Sequence, residues 1–188
     1  MHYLIFIILV VISGCSTTQM RGNLDNGVYS NVQNTFEMNV PFLSDAKITD
    51  GNMRYFSYVD FFIENKVYSI EVFNRAGPDS EDSFRSGTES FMKDYIPNKC
   101  GPNSFESVTG EFSKISNNLS YDFVTLGIRP NGKKTFLHGR SIYLAPNKVA
   151  ICMLYKDRNE NEKIEFFKST FDKSEFDGVC SSIKIKHL

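Results

Sequence analysis

The sequence holds no tryptophan, only three histidines and four cysteines, and no apolar run of membrane-spanning length. Each scarcity excludes something. Twenty-one basic residues face 22 acidic ones, so the cationic excess that neutralises phosphates is missing and a nucleic-acid partner is not expected. No C-x-x-C occurs and no basic residue adjoins Cys152, so a thiolate poised for redox chemistry is not expected either. His138 and His187 stand far apart, with no H-E-x-x-H and no Cys/His spacing that suits zinc, so neither a metal nor another cofactor is expected. No G-x-S-x-G marks a nucleophile, and no internal repeat or low-complexity tract is visible. What remains is 188 residues with 41% hydrophobic and 23% charged content, 12 Gly and 6 Pro. That composition describes one globular domain able to bury a core.

The chain opens MHYLIFIILVVISGC, an apolar run from Tyr3 to Ile12 that ends in Ser13, Gly14 and Cys15. A bilayer core needs about 20 apolar residues in a helix, whereas the hydrophobic part of a secretory signal needs about 7 to 15 and ends in small residues. Residues 1–14 are therefore expected to be a cleaved signal, although the start carries only the Met1 amine and His2 as positive groups. Ile12-Ser13-Gly14-Cys15 resembles the lipobox of bacterial lipoproteins: an aliphatic residue, two small ones and a cysteine. The resemblance implies a diacylglycerol on the Cys15 thiol, cleavage before it and acylation of the new N-terminus. Two or three chains at about 0.8 kcal/mol per buried methylene anchor stably where one is marginal. Ser16, where an aspartate would signal retention, implies the periplasmic face of the outer membrane. The polar residues 15–26 are expected to form a flexible lipidated tether, leaving 27–188 as the folded domain.

Along that domain, Thr35 to Val40 alternates apolar and polar residues before Pro41, as a half-buried strand does. Tyr55 to Ile63 and Val67 to Asn74 are rich in aromatic and β-branched residues and flank a short polar loop, which predicts a hairpin. Phe105 to Ile115, Leu119 to Arg129, Thr135 to Leu144 and Val149 to Tyr155 repeat the pattern across turns at Asn117-Asn118, Asn131-Gly132 and Ala145-Pro146-Asn147. Two segments change period. Ser80 to Ile96 places Phe84, Phe91, Met92 and Tyr95 at helical spacing, with Glu81 and Asp82 at the positive end and Pro97 closing the run. Asn161 to Phe176 predicts a second helix, with Glu160 and Glu162 early and Gly178 as its C′ residue. Seven strands and two helices make an α+β fold, an antiparallel sheet covered by helices. The element order, opening with TFEMNVP and closing with FFKSTF, resembles the PsbP-like fold family over roughly Gly27 to Leu188. That likeness implies a binding or assembly factor and no enzyme, and it assigns no functional residue.

Three cysteines remain after Cys15, an odd count that allows one bridge and one free thiol. All three pairings are open. Cys100 and Cys180 lie just after helical segments among Gly, Pro and Ser, while Cys152 sits in an apolar strand, so Cys100 to Cys180 is the expected bridge. Closing about 80 residues, it would contribute roughly 4 to 5 kcal/mol by chain entropy. His138 and Arg140 share one strand face and are the candidate ligand-binding pair, suited to an anionic group. The main expectation is an outer-membrane lipoprotein that binds an envelope protein without chemistry. Two alternatives stand beside it: an immunity-type inhibitor of a toxin or hydrolase in the periplasm, and an envelope hydrolase using His138 as its base.

Overall fold

The computed structural model describes residues 22–40, 45–63, 66–100, 109–128, 134–157 and 173–186. The first strands are short: β1 Asn23–Asp25, β2 Val28–Ser30 and β3 Phe36–Asn39. β4 Lys47–Asn52, β5 Phe56–Ile63 and β6 Lys66–Phe73 precede the helix α1 Glu81–Cys100. Four longer strands follow, β7 Thr109–Ile115, β8 Asn118–Ile128, β9 Lys134–Ala145 and β10 Lys148–Asp157. The helix α2 Lys173–Ser181 and the strand β11 Lys184–Ile185 end the described chain.

The strands form two sheets. A seven-stranded sheet has the order β4-β5-β6-β10-β9-β8-β7, and a four-stranded one the order β1-β2-β3-β11. Every pairing is antiparallel, so the expected α+β architecture is present. Because side chains alternate along a strand, the large sheet has two apolar faces. On one, Leu119, Tyr121 and Phe123 of β8 and Val149, Ile151 and Met153 of β10 lie against Phe84, Met92 and Ile96 of α1. On the other, Tyr68, Ile70 and Val72 of β6 and Ala150, Cys152 and Leu154 of β10 lie under the small sheet and α2. Tyr29, Phe36 and Met38 from the small sheet and Phe176 and Val179 from α2 complete that second core. Fully burying one such aromatic or aliphatic side chain contributes about 1.5 to 3 kcal/mol.

Local chemistry explains the boundaries. The Ser80 hydroxyl accepts the Ser83 amide at 3.2 Å, capping α1, and Glu81 and Asp82 occupy its first turn. Pro97, expected to close the helix, lies inside it. A proline there removes one amide bond and crowds the carbonyl of Lys93, a cost of about 3 kcal/mol that burial of Met92 and Ile96 against the sheet opposes. Gly178 likewise falls within α2 and not after it, because Phe176, Val179 and Cys180 dock at i, i+3 and i+4 and outweigh a glycine penalty of about 1 kcal/mol. Most of the predicted segment 161–176 lies outside the described residues, as do the Asn131-Gly132 turn and the first part of the strand expected from Phe105.

β3 falls within the strand expected over Thr35 to Val40, whereas β1, β2, β4 and β11 were not expected. β1 falls inside the segment read as tether, and Asn26 and Gly27, with φ of 49° and 75°, turn it back onto β2. Asn-Gly is the strongest short hairpin signal because both residues tolerate positive φ. Gly22 and the Tyr29 hydroxyl both donate to Asp50 Oδ2, the latter at 2.6 Å, which ties the start of the domain to β4. Burial, reinforced by that bond, pushes the Tyr29 hydroxyl pKa up. Among the described residues no helix is long and apolar enough to cross a membrane.

Candidate binding site

The first half of α1 and the seven-stranded sheet enclose a cavity of about 320 Å³. Phe73 from β6 and Val149 and Ile151 from β10 form its floor. Phe84, Gly87 and Phe91 bring α1 against it, spaced at i, i+3 and i+7 so that they share one helix face. The third wall is the segment Ala76-Gly77-Pro78. That wall is fastened by backbone bonds to the β9–β10 turn, with the Asn147 amide donating to the Pro78 carbonyl at 2.8 Å.

The rings around the cavity are fixed by one another. Phe91 stacks on Tyr95 with centroids 5.2 Å apart, and Tyr95 meets Phe73 edge-on at 6.5 Å. The Tyr95 hydroxyl donates to the buried Glu71 carboxylate. Phe84 is held between Phe112 and Tyr143 at 6.3 and 5.8 Å. No charged side chain lines the space, and its polar atoms are chiefly the hydroxyls of Ser83, Thr88 and Ser141, of which Thr88 donates to its own helix at Phe84. Such a space suits an uncharged aromatic or aliphatic group and holds water poorly.

Gly87 is one of the lining residues. It stands inside α1, where glycine costs about 1 kcal/mol relative to alanine. A Cβ built there meets nothing within 4 Å, so close packing does not require the glycine. Gly87 is itself exposed, so it sits at the rim of the space. Phe91 is 48% exposed beside it, a large apolar ring at the mouth. The sequence reading placed Phe84 and Phe91 on the helix face but passed over Gly87 and Phe73. The available signal was a glycine between two turns of apolar helical spacing.

The histidine–arginine pair expected as a ligand site lies on the opposite face, beneath α2. Arg140 is 4% exposed and its guanidinium is taken up by two carboxylates. Its Nε donates to Asp122, and its Nη1 to Asp177 of α2 at 2.7 Å. Asp122 also accepts the Ser113 hydroxyl at 2.7 Å, and Ser113 and Ser120 share a bond of 2.8 Å. Burial disfavours a charge here, yet the bonds to Asp122 and Asp177 outweigh it and raise the Arg140 pKa. An anion reaching Arg140 would have to displace one of these carboxylates, so the pair as built docks α2. His138 packs its ring edge-on against Phe176 at 4.7 Å. Burial pushes its pKa down to about 4, with Asp122 pulling the other way, so it is neutral at pH 7. Asp122 accepts bonds from Arg140 and Ser113 through its two oxygens.

Cys180 is a free buried thiol whose neighbouring sulfur is that of Cys152, and burial pushes its pKa up. The side chain of Cys100, its expected partner, lies outside the described residues, as does Cys15. Among the described residues no group of three or more His, Cys, Asp and Glu is arranged to hold a metal ion.

No family model matches the chain, and no curated protein matches it. Solved structures do. The cyanobacterial PsbP protein of Synechocystis superposes with a TM-score of 0.52 at 12% identity, over 85% of this chain and 91% of that one. The Ran-binding protein Mog1p of Saccharomyces cerevisiae gives 0.51 at 6% identity, over 87% and 96%. A crystal structure from Bacteroides thetaiotaomicron gives 0.50 at 13% identity, covering 90% of this chain but 49% of its own, so this chain spans about half of that protein's length. At such identities the likeness is one of fold: the chain has the PsbP/Mog1-like α+β fold.

Proposed function

We propose that this chain is an envelope lipoprotein that acts by binding, without chemistry, and holds an apolar group of a protein partner in the cavity between α1 and the seven-stranded sheet. The observation that carries the reading is Gly87, a helix glycine that packing does not explain at the wall of an uncharged cavity. Fixed rings reduce the ordering that binding would otherwise require. Support for a non-enzymatic role comes from the polar cluster on the other face, where Arg140 and Asp122 serve each other. One neighbour of the same fold is named as a Ran-binding protein, which agrees with a fold used for recognition.

Anchoring rests on the leader and Cys15, with two or three acyl chains and the outer-membrane address implied by Ser16. Because β1 begins at Asn23, the tether between lipid and domain shortens to about the seven residues 15–21, some 25 Å at full extension. The domain then works close to the membrane surface.

The test places a photoreactive phenylalanine analogue at position 91 of the full chain in its own cells. A discrete crosslinked product in the membrane fraction is expected. It should vanish on Gly87→Phe, which plugs the cavity, and leave the membrane fraction on Cys15→Ser. Crosslinking indifferent to the plug sinks the binding reading, and membrane retention indifferent to Cys15 sinks the anchor.

A further inference from the structure

Two thiols meet in the core under α2. Cys152 on β10 pairs across the ladder with Arg140 on β9. The Arg140 guanidinium reaches up to Asp177 of α2 at 2.7 Å. Cys180 stands three residues after Asp177 on the same side of that helix, so the ion pair that seats α2 also lowers Cys180 onto Cys152. Both residues belong to one buried cluster, at 1% and 2% exposure, with their sulfurs within hydrogen-bonding reach of each other.

We propose that Cys152 and Cys180 close into a disulfide that fastens α2 to the seven-stranded sheet, leaving Cys100 as the free thiol. This pairing replaces the Cys100 to Cys180 bridge expected from the sequence. The electron acceptor is a low-molecular-weight or protein disulfide. One cysteine thiolate attacks it, forming a mixed disulfide and releasing one thiol. The second cysteine thiolate then attacks the protein sulfur of that mixed disulfide, forming the Cys152 to Cys180 bond and releasing the second thiol. Two protons and two electrons leave the pair and reduce the donor disulfide to two thiols. In the folded domain burial keeps Cys180 protonated and out of reach, so the exchange belongs to folding, before α2 seats. In the cell the donor's supply rests on the export reading above, whereas the following experiment supplies its own donor.

The full chain is unfolded and reduced, refolded in mixed oxidised and reduced glutathione, alkylated and digested for mass spectrometry. A linked Cys152–Cys180 peptide with alkylated Cys100 is expected, together with a higher urea midpoint than that of the reduced protein. Cys100→Ser should preserve the bridge. Alkylation of Cys100, Cys152 and Cys180 alike, a bridge containing Cys15 or Cys100, or loss of the link in Cys100→Ser overturns the proposal. None of these outcomes bears on whether the cavity binds a partner.

Discussion

The two faces of the seven-stranded sheet solve different problems. Under α2, the side chains are cross-tied. Arg140 joins β9 to β8 through Asp122 and to α2 through Asp177, and the Tyr68 hydroxyl on β6 donates to Glu175 of the same helix. Under α1, contact is made by rings and aliphatic chains, and a volume of about 320 Å³ is left open next to a helix glycine. A face whose buried charges are all partnered resists change, because removing one group strands another. A face with an apolar void loses contacts it could have made, and an occupant restores them. On the proposed function, stability rests with the α2 side and binding with the α1 side.

Three measurements break or sharpen that contrast. The largest effect is expected from Arg140→Met, which leaves Asp122 without its cation and frees α2. Urea unfolding should show a loss of about 3 to 5 kcal/mol. Converting Asp122 and Asp177 to asparagine in the same chain should recover part of it, since no stranded charge then remains; no recovery would show that packing and not charge holds this face.

The next is a pH dependence confined to the α2 side. His138 has a folded pKa near 4, below the ordinary value of 6.5, because burial opposes its charged form. Above pH 6.5 the imidazole is neutral in both folded and unfolded chains and its contribution is complete. As pH falls from 6.5 toward 4 the unfolded chain takes up a proton that the folded one refuses. Stability should therefore fall by about 3 kcal/mol more in the wild type than in His138→Gln over that window. Parallel curves for the two proteins would contradict the assignment.

The smallest effect belongs to the α1 side. Gly87→Ala adds a methyl group where nothing lies within 4 Å and should raise stability by about 0.5 to 1 kcal/mol through helix propensity, read as a small rise in Tm. A fall instead would show that the wall is tighter than described.

Much of the large sheet was legible because β5, β6, β8, β9 and β10 are long and their aromatic and β-branched residues repeat with period two or fill both faces. Of the small sheet only β3 was, within the alternation from Thr35 to Val40. β1, β2 and β11 have three, three and two residues, too few for any period to register. Asn26-Gly27 was the readable clue, and it lay in a polar stretch whose composition suggested a tether. β4, with the sequence KITDGN, hides its one buried side chain in an aspartate that bonds Tyr29. For the site, residue types were visible and their spatial company was not. His138 and Arg140 do share a strand face, but nothing in the chain order shows that Asp177, 37 residues beyond Arg140, returns to occupy the guanidinium. The cavity was hidden because its lining gathers residues from β6, α1, the segment before α1, β9 and β10.

The central claim, that the space under α1 is a binding site, is most directly tested by fluorescence titration with N-phenyl-1-naphthylamine, an uncharged aromatic probe. The wild type should enhance the probe's emission saturably at one site, and Gly87→Phe should abolish that enhancement while its unfolding midpoint stays at or above that of the wild type. Equal enhancement by the two proteins, both folded, would contradict the account.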